Sequence, residues 1–133
     1  MNKKAILIGY GSVGKKHLEN LKMNGYSVDI CEVNLKLISK LKKQDYFVKN
    51  KLNKFKKNTY ELAVIASWGP DHFQHFKDLT ELKVKKIIIE KPLCASEVQV
   101  KSILKISQRK KIKFVVHHKR KYNDIQKNII KNI

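Results

Sequence analysis

The chain has 133 residues, 30 of them basic and 11 acidic, for a formal net charge of +19. That length suits one domain with a real core and leaves little room for a second. No apolar run is long enough to span a membrane, there is no repeat, and Cys31 and Cys94, without C-x-x-C spacing, read as reduced structural thiols.

Strands and helices are expected to alternate. Residues 4–8 read as a first strand, and 12–24 as a helix with Leu18 and Leu21 on its apolar stripe, ended by Asn24-Gly25. Residues 27–32 form a second strand. Asn34 caps a helix to about residue 43 that carries Leu35, Ile38 and Leu41. Residues 46–48 are a short third strand, followed by a lysine-rich stretch over 50–58 with no clear period. Residues 61–66 form an apolar strand, and Pro70 suits the first turn of a helix to about residue 82. Residues 85–90, with Ile87-Ile88-Ile89, are another buried strand. A helix over 95–110 takes Ser96 as its cap and Val100, Ile103, Leu104 and Ser107 as its inner face. Residues 113–117 are the last strand and 123–133 the last helix. Continuous apolar strands alternating with helices predict an α/β fold, a doubly wound parallel sheet of Rossmann type in three layers, α/β/α.

The first turn carries the strongest chemical signal. Gly9-Tyr10-Gly11-Ser12-Val13-Gly14 follows Ala5-Ile6-Leu7-Ile8 directly and opens the first helix. In a G-x-G-x-x-G turn the first glycine permits the tight bend, the second lets backbone approach a pyrophosphate, and the third lets helix pack on strand. The helix N-terminus then offers free N–H groups to the phosphates. Glu32 ends the second strand, 18 residues past Gly14, where a carboxylate accepts hydrogen bonds from ribose hydroxyls. It repels a 2′-phosphate and so favours NAD over NADP, with Lys36 one helical turn on as a partial offset.

Two later loops fall at carboxyl ends of strands, where an open parallel sheet binds its ligand. Ser67-Trp68-Gly69-Pro70-Asp71-His72 follows the fourth strand, and Trp68 is available either for stacking on a ligand or for packing. Glu90-Lys91-Pro92 closes the strand of isoleucines; proline restricts the backbone of Lys91, and a lysine at that point can orient a hydroxyl or exchange its proton. His17, His72 and His75 have no second motif supplying matching ligands, so no metal site is expected. His117-His118 ends the last strand, facing the site or the surface.

Three motifs together resemble the glucose–fructose oxidoreductase / inositol dehydrogenase family (Gfo/Idh/MocA). Gly9-Tyr10-Gly11-Ser12-Val13-Gly14-Lys15-Lys16-His17 is similar to its glycine loop and trailing histidine. Ala66-Ser67-Trp68-Gly69-Pro70-Asp71-His72-Phe73 resembles its loop after strand four, and Glu90-Lys91-Pro92-Leu93 its E-K-P signature. Two departures stand out: Gln74 holds the place of a family histidine, with His75 next to it, and His118-Lys119-Arg120-Lys121-Tyr122 only approximates the pattern after the last strand.

The resemblance implies a dinucleotide-binding domain over residues 1–121 and, over 122–133, a helix leading towards a substrate domain that the chain does not contain. It implies NAD as cofactor, held by Gly9, Gly11, Ser12, Val13, Gly14, Glu32, Ser67, Trp68, Pro70, Glu90 and Lys91, with Lys91 as the catalytic lysine. The implied activity is hydride transfer between nicotinamide and a carbinol on a sugar, polyol or sugar nucleotide. The 133 residues alone are then expected to bind cofactor in the cytoplasm, with reduced thiols, and to turn over slowly or not at all.

Two other readings compete. One is a non-catalytic nucleotide-binding module, or the partner of a separate substrate domain. The other is polyanion binding driven by charge. Against the latter, Arg109 and Arg120 are the only arginines, whereas nucleic-acid readers lean on arginine. Abundant lysine, asparagine and isoleucine with little alanine read as the signature of an AT-rich genome, so neither nucleic acid nor a membrane is an expected partner.

Overall fold

The computed structural model describes residues 3–117. Six strands, β1 (Lys3–Ile8), β2 (Tyr26–Cys31), β3 (Val48–Lys49), β4 (Leu62–Ile65), β5 (Lys86–Glu90) and β6 (Lys113–His117), form one sheet in the order β3-β2-β1-β4-β5-β6. Every pairing is parallel. Helices α1 (Ser12–Met23), α2 (Leu35–Lys43), α3 (His72–Glu81) and α4 (Glu97–Lys110) make the crossovers. The order reverses between β1 and β4, which is the switch point of a doubly wound sheet. The expected fold class is the one found. Among the described residues, no helix is long and apolar enough to cross a membrane.

The strands are apolar throughout because both faces of the sheet are covered. Ala5, Leu7, Leu62, Val64 and Ile88 point to one side, into a core with Leu18 and Leu21 of α1 and Leu41 of α2. Ile6, Ile8, Ala63, Ile65, Ile87 and Ile89 point to the other, against Phe76 and Leu79 of α3 and Ile103 of α4. Each of the larger side chains so buried contributes roughly 1.5–3 kcal/mol, enough to fix the register.

The caps fall where the sequence places them. Asn34 accepts hydrogen bonds from the amides of Lys36 and Leu37, and Ser96 accepts one from Gln99. Pro70 lies in a 3₁₀ turn, Gly69–Asp71, that runs into α3. A second 3₁₀ turn, Leu52–Lys54, occupies the lysine-rich stretch and buries Leu52.

Two helix faces differ from expectation. Leu35 is 81% exposed and Leu37 takes its place towards the core, beside Ile38 and Leu41 as expected. Leu104 is 53% exposed, with Ile106 packed inward beside Ile103. In each helix two overlapping apolar stripes are available, and the sheet below selects between them. The helix expected over 123–133 lies outside the described residues.

Candidate functional site: a cleft at the sheet switch point

A cleft of about 800 Å³ opens above the carboxyl ends of β1, β2 and β4. Its walls include Gly9, Tyr10 and Gly11 of the first turn, Glu32, Val33 and Asn34 after β2, and Ser67 and Trp68 after β4. Volume and position suit a dinucleotide.

The glycine turn is built by close approach. Gly9 has φ +92°, and a Cβ there would lie 2.8 Å from the Ala66 carbonyl oxygen. Gly14 faces the Gly9 carbonyl oxygen so closely that its Cβ would sit 1.9 Å away. The turn is therefore clamped between β4 and α1, which allows only glycine at either position. At Gly11 the situation reverses: a Cβ would meet nothing within 4 Å. Gly11 lines the cleft, so this is room kept beside the helix N-terminus. Among the described residues no side chain caps α1, and no acid stands in its first turn, which leaves the amides and the positive dipole end for an anion. The residues present thus fit a pyrophosphate.

Glu32 is 8% exposed. Its Oε1 accepts the Tyr10 amide at 2.7 Å, and its Oε2 accepts the amides of Val33 at 2.8 Å and Asn34 at 2.9 Å. A carboxylate has about four acceptor sites, so this set leaves one for a hydroxyl. The same bonds tie the glycine turn to the end of β2, assisted by the Gly9 amide on the Cys31 carbonyl at 2.9 Å. Cys31 also borders the cleft, and burial pushes its thiol up to about 12.

On the opposite wall, Ser67 Oγ shares a 2.7 Å hydrogen bond with His75 Nδ1. Burial pulls the His75 imidazole below its ordinary 6.5, against the upward effect of Asp71 and Asp78. Trp68 is 73% exposed and stands at the rim.

The structure separates the residues named from sequence into two groups. Gly9, Gly11, Glu32, Ser67 and Trp68 line the cleft, whereas Ser12, Val13, Gly14, Pro70, Glu90 and Lys91 do not. Lys91 is exposed, directly after β5, and a cis peptide joins it to Pro92. Glu90 turns inward. Its Oε1 accepts from His17 Nε2 at 2.6 Å and from His117 Nδ1. Burial raises the Glu90 carboxyl, but the hydrogen bonds from His17 and His117, and the charges those rings carry, outweigh it and hold the group below its ordinary 4.5. These donor atoms lie within 4.8 Å of one another, close enough to share one cation.

Of the two open placements for His117, the structure gives a buried one, while His118 lies outside the described residues. His17, His72 and His75 do not meet as one set: His17 joins Glu90, His75 joins Ser67, and His72 bridges two carbonyl oxygens. Reading by motif missed Val33, Asn34 and Leu37 as cleft residues. Their position directly after Glu32 was the available signal.

The family model described as the oxidoreductase family, NAD-binding Rossmann fold (Gfo/Idh/MocA), matches residues 3–118. No curated protein matches the sequence. Among solved structures, an NAD-binding protein from Listeria innocua is 15% identical with a TM-score of 0.80, over 99% of this chain and 41% of that one. A probable dehydrogenase from Thermotoga maritima is 18% identical with a TM-score of 0.81, over 97% and 41%. The WlbA dehydrogenase from Chromobacterium violaceum, solved with NADH and UDP-GlcNAcA, is 13% identical with a TM-score of 0.78, over 96% and 40%. At these identities the likeness is one of fold, and the chain spans about two-fifths of each relative's length. With the glycine turn, the switch-point cleft and the family match in agreement, the chain belongs to the Gfo/Idh/MocA oxidoreductase family, as an NAD-binding Rossmann domain.

Proposed function

We propose that this chain is the cofactor-binding part of a cytoplasmic, NAD-dependent oxidoreductase acting on a carbinol of a sugar, polyol or sugar nucleotide. The observation that carries the cofactor choice is Glu32, whose carboxylate stands on the cleft wall with one acceptor site in reserve. Such a group accepts a ribose hydroxyl and repels a 2′-phosphate.

The residues divide the work. Gly11 and the N-terminus of α1 take the pyrophosphate, Glu32 the adenosine ribose, and Val33 and Leu37 flank the adenine end. Ser67 and Trp68 border the nicotinamide end. Bound there, the cofactor supplies a two-electron hydride acceptor. Lys91 is the catalytic residue: it hydrogen-bonds the carbinol oxygen and takes up the hydroxyl proton as the hydride leaves carbon. The substrate's other contacts belong to a second domain, as the relatives' greater length suggests.

Calorimetric titration of the chain with NAD(H) and NADP(H), at two salt concentrations, tests this reading. Saturable NAD(H) binding that is tighter than NADP(H) binding and varies little with salt is the expected result. Preference for NADP(H), or no binding of either, overturns it. Binding that collapses steeply with salt instead favours the polyanion reading.

A further inference from the structure

We propose that three buried histidines, His17, His72 and His117, are the positioning residues of Lys91. This rests on the reading of Lys91 given above, but the clamp itself is a property of the fold. Lys91 is exposed, and among the described residues none hydrogen-bonds or ion-pairs with its side chain. The residues on either side of it are held instead. On one flank, Glu90 accepts from His17 of α1 and His117 of β6, rings that are 0% and 3% exposed and meet edge to face at 5.3 Å. On the other flank, the Pro92 carbonyl oxygen lies 2.7 Å from His72 Nδ1. The far nitrogen of His72, Nε2, lies 2.8 Å from the Ser67 carbonyl oxygen. The Pro92 ring also packs against Gly69, where a Cβ would come within 3.0 Å of it.

Four elements of the fold therefore converge on three consecutive residues. Through His72, the loop after β5 is tied to the loop after β4 that forms a wall of the cleft.

The chemistry of His72 is specific. A carbonyl oxygen only accepts, and a neutral imidazole donates from one nitrogen alone. Both bonds form only with the doubly protonated ring, which is 1% exposed. The ionisable groups around it are Asp71 and His75 on its own turn and helix, with Asp78 a further turn on. Glu90, Lys91 and Cys94 stand on the segment it holds. Of these, Glu90 is already committed to His17 and His117. A side chain that donates only once at this place keeps one carbonyl and releases the other, and the segment around Lys91 loosens.

The test is backbone NMR of the chain with amide hydrogen exchange at Lys91, Leu93 and Cys94, using Leu7 in β1 as the internal control. Long-range nitrogen–proton correlation reads the protonation of His72 directly. The expected results are a His72 ring that carries a proton on both nitrogens and exchange at Lys91 and Leu93 that stays slow relative to Leu7. In His72→Gln or His17→Leu the same amides exchange about tenfold faster or more, as loss of a buried charge-assisted bond requires. His17→Gln, whose amide can replace Nε2–H, restores protection. A neutral His72 throughout, or exchange that rises equally at Leu7, overturns the clamp.

The nitrogen–proton correlation on wild-type His72 needs no variant to fold. NAD titration of the same sample separates the two ideas. Failure to bind NAD with the exchange pattern intact removes the cofactor reading and leaves the clamp, whereas NAD binding with exchange unchanged in His72→Gln and His17→Leu removes the clamp.

Discussion

The backbone amide of Tyr10 donates to Glu32 Oε1 across 2.7 Å, joining the glycine turn to the end of the neighbouring strand before any ligand arrives. Glu32 thus serves the fold in addition to the cofactor role proposed for it. Glu32→Ala removes the acceptor of three amides in a nearly buried place and is expected to cost about 2–3 kcal/mol. Glu32→Gln keeps one acceptor oxygen and is expected to lose about half as much stability while still weakening NAD binding. Urea denaturation of both variants, alongside calorimetry, separates the two contributions. Equal stability of all three proteins would refute the structural half of this assignment.

The two outer glycines and the middle one should behave oppositely. Gly14→Ala drives a Cβ into the Gly9 carbonyl and is expected to destabilise the fold by about 3 kcal/mol, visible as a lowered Tm. Gly11→Ala meets nothing within 4 Å and has an extended φ of −77°, so its Tm should stay near that of wild type. Its methyl group enters the room proposed for a pyrophosphate, and NAD affinity is expected to fall about tenfold or more. A Gly11→Ala protein that binds NAD normally would argue against phosphate binding at this turn.

Stability should fall on acidification in two stages. His75 has its imidazole held below 6.5, so its contribution is complete above that pH and is lost as pH falls towards its folded value. Glu90 is held below 4.5, so its contribution is complete above that pH and is lost further down the acid range. The difference in unfolding free energy between wild type and Glu90→Gln should therefore be constant from pH 7 to about 5 and shrink below about 4.5. Denaturant titrations at four pH values would show it. A difference that grows on acidification reverses the sign and sinks the assignment.

Thiol labelling should distinguish the cysteines. Cys31 is 5% exposed with its thiol pushed up to about 12, whereas Cys94 is only half-buried. Iodoacetamide at pH 8 is expected to modify Cys94 and spare Cys31 until the chain unfolds. Mass analysis of the digest identifies the labelled site.

The fold was legible because parallel strands buried on both faces leave an unmistakable run, as at Ile87-Ile88-Ile89, and because Asn34 and Ser96 announce their helices. Helix phase was less so. Leu35, Leu37, Ile38 and Leu41 offer two stripes, and only the sheet decides that Leu35 faces solvent. The glycine turn and Glu32 were readable as local signals. The histidine partners of Glu90 were not, since His17 lies 73 residues before it and His117 lies 27 after it. Linear spacing carries no trace of a contact made by topology.

The cleft sits where the strand order reverses, so its two walls come from different halves of the chain: the glycine turn and Glu32 from the first, Ser67 and Trp68 from the second. A ligand lying across it acts as a staple between halves that otherwise meet mainly along β1 and β4. Binding energy is then shared with folding, and the melting temperature rises with the logarithm of ligand concentration once the site is filled. The protein's resistance to unfolding would thereby track the supply of its own cofactor.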